Sequence, residues 1–223
     1  MEYTLIRSQR KTAAIYIRAG AVQVRAPLQM PKQEIDDFVE SKSRWIRAKL
    51  EASRKQAEQR AGFILKYGDM LVYQGRHYPI KPKAGNRVSF DGEAFWIPPD
   101  LTADEIKAAC MSIYRLLAKR DLPRLVASLA PGMGVQPTAV KITAAKTRWG
   151  SCSAKGSLNF SWRLVMADAA VIEYVVVHEL AHLVEMNHSD CFWRIVERQL
   201  PDYRQRLLQL RALQEVLARE DWD

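Results

Sequence analysis

The chain has four histidines in 223 residues, and three of them fall in one segment, Val177-His178-Glu179-Leu180-Ala181-His182-Leu183-Val184-Glu185-Met186-Asn187-His188. His178 and His182 are four positions apart, so a helix sets them on one face a turn apart. Two imidazoles so placed reach a single cation at Zn–N distances of about 2.0–2.1 Å. Glu179 is turned roughly 100° from His178 by the helical period. It is thereby placed to take a proton from a water on the metal rather than to ligate the metal. This is the chemistry of the H-E-x-x-H pattern, two ligands and a general base on one turn.

His188 follows His182 by six positions, and a straight helix would turn it away. If it coordinates, the helix must end and the chain fold back, and Asn187 tolerates the left-handed conformation that ends helices. Six is also the gap in the metzincin pattern H-E-x-x-H-x-x-G-x-x-H, but Glu185 stands where that pattern has glycine. The competing reading is three helix-surface histidines beside a fortuitous glutamate. Against it, Val175-Val176-Val177 and Leu180-Ala181 make the approach strongly apolar, so this turn should be at least partly buried. Crowded, buried imidazoles repel when protonated, and a metal keeps them neutral. The expected cofactor is Zn2+, with His178, His182 and His188 as ligands and Glu179 as the catalytic base.

These residues need elements to hold them. A helix capped by Asp168 and carrying Val171, Ile172, Val175 and Val176 leads into the histidines. Before it, residues 140–143 and 157–165 read as strands, separated by a Gly/Ser-containing turn over 147–156. After it, helices are expected over about 190–199 and 203–219. Further upstream, residues 4–7, 14–18 and 22–25 read as a hairpin or small meander. Pro31 opens one long helix that fades in the charged stretch 51–60. Strands follow at 70–73, 77–80, 87–90 and 94–97, with Asp91-Gly92 as a hairpin turn. Thr102 and Glu105 form a capping box for a helix to about Leu129, with a bend at Pro123. A boundary near residues 99–101 divides a β-rich N-terminal region with one long helix, residues 1–100, from an α+β catalytic part, residues 101–223.

Composition limits the alternatives. A 48% hydrophobic and 26% charged chain is ordinary for a globular protein. No apolar run approaches the roughly 20 residues of a membrane span, and residues 1–5 lack a signal-peptide pattern. The expected location is the cytoplasm. Cys110, Cys152 and Cys191 are odd in number and lack C-x-x-C pairing, which reads as reduced thiols. The net charge of +9 would attract nucleotides, nucleic acid or acidic proteins.

Four blocks in order carry a family resemblance: Thr147-Arg148-Trp149-Gly150-Ser151-Cys152-Ser153, then Ser157 to Leu164, then Val176 to His182, then Asn187-His188-Ser189 with Phe192-Trp193. Together they resemble the YgjP-like metallopeptidase domain family, related to the WLM and SprT-like zincins. The resemblance implies a zincin-like fold in which residues 157–164 form a strand near the cleft. It also implies His178, His182 and His188 as zinc ligands and Glu179 as acid/base.

The resulting expectation is a zinc-dependent hydrolase, foremost a metallopeptidase acting on a peptide or protein. Two other readings stay open. In one, Arg148 and Arg163 hold a nucleoside triphosphate and the metal acts on a phosphoanhydride. In the other, the chain is a nucleic-acid-associated binding module with a vestigial metal site. The 149–152 turn has two readings as well: oxyanion stabilisation by its N–H groups or by Arg148, or a structural turn in which Trp149 fills the core. Cys152 has no base beside it in sequence. Phe192 and Trp193 read as core residues holding the post-motif helix against the sheet, and Asp190 or Glu197 as acceptors for a ligand imidazole.

Overall fold

A computed structural model describes residues 1–18 and 20–222. Packing divides them into two compact units: Met1–Phe63 with Ala218–Asp221, and Ile64–Leu217 with Trp222. The architecture is mixed α+β, with a β-rich N-terminal part.

The first unit contains β1 (Thr4–Ser8), β2 (Ala14–Arg18), β3 (Ala21–Pro27), α1 (Lys32–Ser41) and α2 (Ser43–Ala61). In β3, Val22, Val24 and Ala26 alternate with more exposed residues, so one face is apolar. That face forms a core with Ile35 and Val39 of α1 and Ile46 of α2. The three strands are not a meander. β3 lies in the centre, antiparallel to β2 and parallel to β1. The single expected helix is broken at Lys42, where neither Gly nor Pro announces a break. Nor does helix fade after residue 50. Arg54 pairs with Glu51 at 2.8 Å and lies 3.9 Å from Glu58, and such pairs support an exposed helix.

The second unit begins with β4 (Met70–Tyr73), β5 (Arg76–Pro82), β6 (Ser89–Phe90) and β7 (Phe95–Ile97), in the spatial order β4-β5-β7-β6. Asp91 shapes the β6–β7 hairpin, its Oδ1 accepting from the N–H groups of Glu93 and Ala94. The expected capping box opens α3 (Ala103–Leu129): Thr102 Oγ1 accepts from Glu105 N–H, and the Glu105 carboxylate accepts from Thr102 N–H at 2.8 Å. The Phe95 and Tyr114 rings lie 5.2 Å apart, tying β7 to α3. The units therefore part at Phe63–Ile64, and residues 99–101 lie inside the second unit.

A second small sheet follows, made of β8 (Ala139–Thr143), β9 (Gly150–Cys152) and β10 (Ser157–Ser161), in the order β8-β10-β9. β9 falls inside the stretch expected to be only a turn. Gly156, at φ +76°, makes the β9–β10 reversal, a conformation that favours glycine. Residues 162–166 are a 3-10 helix rather than a continuation of the strand. Then come α4 (Ala169–Ala181), α5 (Asp190–Gln199) and α6 (Tyr203–Leu217). α4 is apolar nearly all round and largely buried, which suits a helix in the interior of the unit.

Candidate metal centre

α4 supplies His178 and, at its C-cap, His182, with ring centroids 5.0 Å apart. The chain leaves the helix through a turn: Val184 and Glu185 N–H groups both donate to Ala181 O at 3.0 Å. It then brings His188 back, its ring 5.0 Å from that of His178 and 4.7 Å from that of His182. Asn187 is not left-handed, because the positive-φ non-glycine residues described are Gln74 and Asp100. The return is made by the helix-end turn instead. One candidate ligand nitrogen from each histidine lies within 4.8 Å of the other two. Among the described residues this is the only such group of three or more metal-ligating side chains. Neither His77 nor a cysteine joins it.

The donor chemistry suits a cation. His182 Nδ1 lies 3.1 Å from Glu185 O. A carbonyl only accepts, so Nδ1 carries the proton and Nε2 keeps its lone pair. His178 Nε2 and His188 Nε2 are 3.0 Å apart, a spacing at which the two nitrogens either share one proton or both face a common cation. Burial, then His182 and His188, hold the His178 pKa down to about 3, so its ring is a neutral donor. Its Nδ1 is buried without a hydrogen-bond partner. The imidazoles pack on aromatic rings. Phe192 is fully buried, with its centroid 4.9, 4.5 and 4.8 Å from His178, His182 and His188. Trp193 stacks on His188 at 5.7 Å. These two aromatics of α5 thus support the histidines directly.

Glu179 is 5% exposed, and burial raises its pKa to about 8 against the opposing field of Arg148. Its Oε2 has no hydrogen-bond partner. Gly150 of β9 lies against it: a Cβ there would sit 2.5 Å from Glu179 Oε1 and 2.7 Å from Cδ. Gly150 is needed for close approach, not for a turn. A glycine inside a strand is the signal that marks such an approach, but the strand itself went unread.

The family model "YgjP-like, metallopeptidase domain" matches residues 11–213. The chain belongs to the YgjP-like family. A comparison with curated proteins found no match. Among solved structures, the metallopeptidase zymogen abylysin of Pyrococcus abyssi is 26% identical, with a TM-score of 0.39, covering 45% of this chain and 98% of its own. The zymogen jannalysin of Methanocaldococcus jannaschii is 20% identical, with a TM-score of 0.38, covering 44% and 98%.

Other residues singled out in this YgjP-like chain have defined surroundings. Arg163 is buried: it donates to Ala144 O at 3.3 Å and Trp222 O at 2.7 Å and stacks over Trp162 at 4.5 Å. It is a structural clamp and is not presented to a phosphate. Cys152 is half-buried, and burial followed by the Glu179 charge raises its pKa, which disfavours a thiolate nucleophile. Trp149 is half-buried and lines a small polar cavity rather than filling the core. Glu197 sits 4.0 Å from Arg204, and neither it nor Asp190 bonds an imidazole. The acceptor for His182 is a backbone carbonyl. No described helix is long and apolar enough to cross a membrane.

Proposed function

We propose that this chain is a zinc-dependent metallopeptidase in which His178, His182 and His188 hold the metal and Glu179 is the general base. The observation that carries the reading is the convergence of three imidazoles beside a buried carboxyl with an unpartnered oxygen. Imidazole nitrogen suits zinc among several transition metals, and membership of a metallopeptidase family selects peptide hydrolysis. Zinc held there supplies Lewis acidity, which acidifies a water toward a pKa of about 7 and polarises a carbonyl.

The chain's own residues do the rest. Phe192 and Trp193 fix the imidazole planes, and Glu185 O fixes the His182 tautomer. Gly150 leaves room for the Glu179 carboxylate and limits where it can move. Glu179 must be ionised to act. A dication held by the three histidines would lower its pKa from the value burial alone imposes. The carboxylate takes one proton from water, the water oxygen bonds to the peptide carbonyl carbon, the C–N bond breaks, and Glu179 passes the proton to the leaving amine.

Two variants test the assignment separately. Glu179→Gln should retain zinc by elemental analysis and lose turnover of peptides by about 10²–10⁴-fold, the scale of general-base catalysis. His182→Ala should lose the zinc. Turnover surviving in Glu179→Gln removes Glu179 as base. Phosphate release from nucleoside triphosphates without peptide cleavage overturns the peptidase reading.

A further inference from the structure

A cavity of about 180 Å³ opens beside Glu179, on the β9 side of the second unit. Thr143, Arg148, Gly150, Ser151, Asn159 and Ser161 line it, so its walls are mainly polar. Gly150 is shared between this cavity and the Glu179 carboxyl, which makes the two neighbours through a single residue.

Most polar groups in the wall are already committed. Ser161 Oγ donates to Ala145 O at 2.7 Å, and Thr143 Oγ1 to Phe160 O at 3.3 Å. Asn159 Nδ2 donates to Ser151 Oγ at 3.3 Å. Ser151 Oγ therefore accepts within the wall and keeps its own proton to donate. Arg148 is exposed and has no ion pair or hydrogen bond among the described residues, although most salt-bridging arginines here have a carboxylate within 3.0 Å. Its field reaches Glu179, consistent with a guanidinium close to the reacting centre. A guanidinium is always charged and binds a carboxylate bidentately. The volume is below the roughly 300–1,000 Å³ of pockets that enclose whole small molecules, so it suits one side chain or a chain end rather than a nucleotide.

We infer that this cavity is a specificity pocket in which Arg148 and Ser151 receive a carboxylate of the peptide substrate next to the cleaved bond. The inference rests on the peptidase reading. The carboxylate belongs to an acidic side chain or to a free C-terminus, and the two sources give different results below.

The test uses zinc-loaded protein and quenched fluorescent peptides. One set exchanges Glu for Gln at each position flanking the cleaved bond in turn, and another compares free with amidated C-termini. The same peptides are titrated by calorimetry into zinc-loaded Glu179→Gln, with and without Arg148→Ala, so that binding is read without turnover. The expected result is a preference for acid over amide of about tenfold to a hundredfold at one position, the scale of a charge-assisted hydrogen bond. The ratio should fall toward one in Arg148→Ala and below one in Arg148→Glu. A ratio carried by the free-terminus pair assigns the carboxylate to the chain end. A binding ratio that depends on Arg148, with no peptide cleaved, supports the pocket while defeating the peptidase reading. Acid and amide peptides that are bound and cleaved alike, or a preference unchanged by Arg148→Ala, overturns the pocket.

Discussion

At the scale of single residues, the site depends on groups that a local code places well and on one that it does not. His178, Glu179 and His182 sit where the helical period requires, and their geometry needs no distant contact. Gly150 is different, since its role comes from a carboxyl some thirty residues away along the chain. Gly150→Ala should therefore leave zinc content intact while lowering kcat by about a hundredfold, as displaced catalytic groups do. Because the atoms met first belong to the end of the flexible Glu179 side chain, the loss of stability should be smaller than the loss of rate. A matched set of Tm and kcat values checks this. Glu179 also shapes stability in the metal-free protein. Its proton is held up to about pH 8 when folded but is released near 4.5 when unfolded. A raised folded pKa stabilises fully below the unfolded value, and that contribution is lost as pH rises through the window toward 8. Below about pH 6.5 the depressed His178 pKa gives the opposite slope, because the unfolded imidazole takes up a proton there. Urea midpoints of the metal-free chain should therefore fall between pH 6.5 and 8, and Glu179→Gln should flatten that fall.

Elements carry the next set of consequences. α5 is capped by Ser189, whose Oγ accepts from Phe192 N–H at 3.4 Å, and Phe192 is the ring on which all three imidazoles pack. Phe192→Ala should cost about 3–5 kcal/mol, as large aromatic truncations in cores do. It should also weaken zinc binding in a competition titration with a chromophoric chelator. Thr102→Ala serves as a contrast. It removes the α3 capping box far along the chain from the histidines and should cost about 1 kcal/mol with zinc affinity unchanged. The helices were well marked in sequence because caps and apolar spacing are local: the Thr102 box and the 190–199 helix lie where they were expected. The strands were less legible. β9 spans three residues and exists through its pairing with β10, and β1 joins β3 in a parallel ladder that no turn signal specifies.

At the scale of the whole molecule, the three-histidine cluster, the aromatic core and Arg163 belong to the second unit. In that core Tyr114 stacks on Trp162 at 5.8 Å, with Trp222 edge-on to Tyr114 at 5.6 Å. A ligand that binds only the folded state stabilises it by about 2.7 kcal/mol at a hundredfold excess over Kd. Zinc removal should accordingly lower the thermal midpoint seen in near-ultraviolet circular dichroism, where these rings dominate. The cysteines report on the same unit. Cys191 is exposed, whereas Cys110 is buried with its pKa pushed up to about 12. Cys191 should be alkylated in the native state, and Cys110 only on unfolding, as peptide mass mapping will show.

Sequence alone placed His178 and His182 together, because spacing of four on a helix converts directly into a shared face. It also determined most helix boundaries, which rest on caps and periodicity. Tertiary structure alone decided that His188 returns to the other two, that Gly150 borders Glu179, that Arg163 is consumed in a buried clamp while Arg148 is left unpaired among the described residues, and that residues 70–97 pack with the unit that carries the histidines. Each of those outcomes depends on contacts between segments far apart in the chain. Local pattern records what a segment prefers, and only packing determines what it meets.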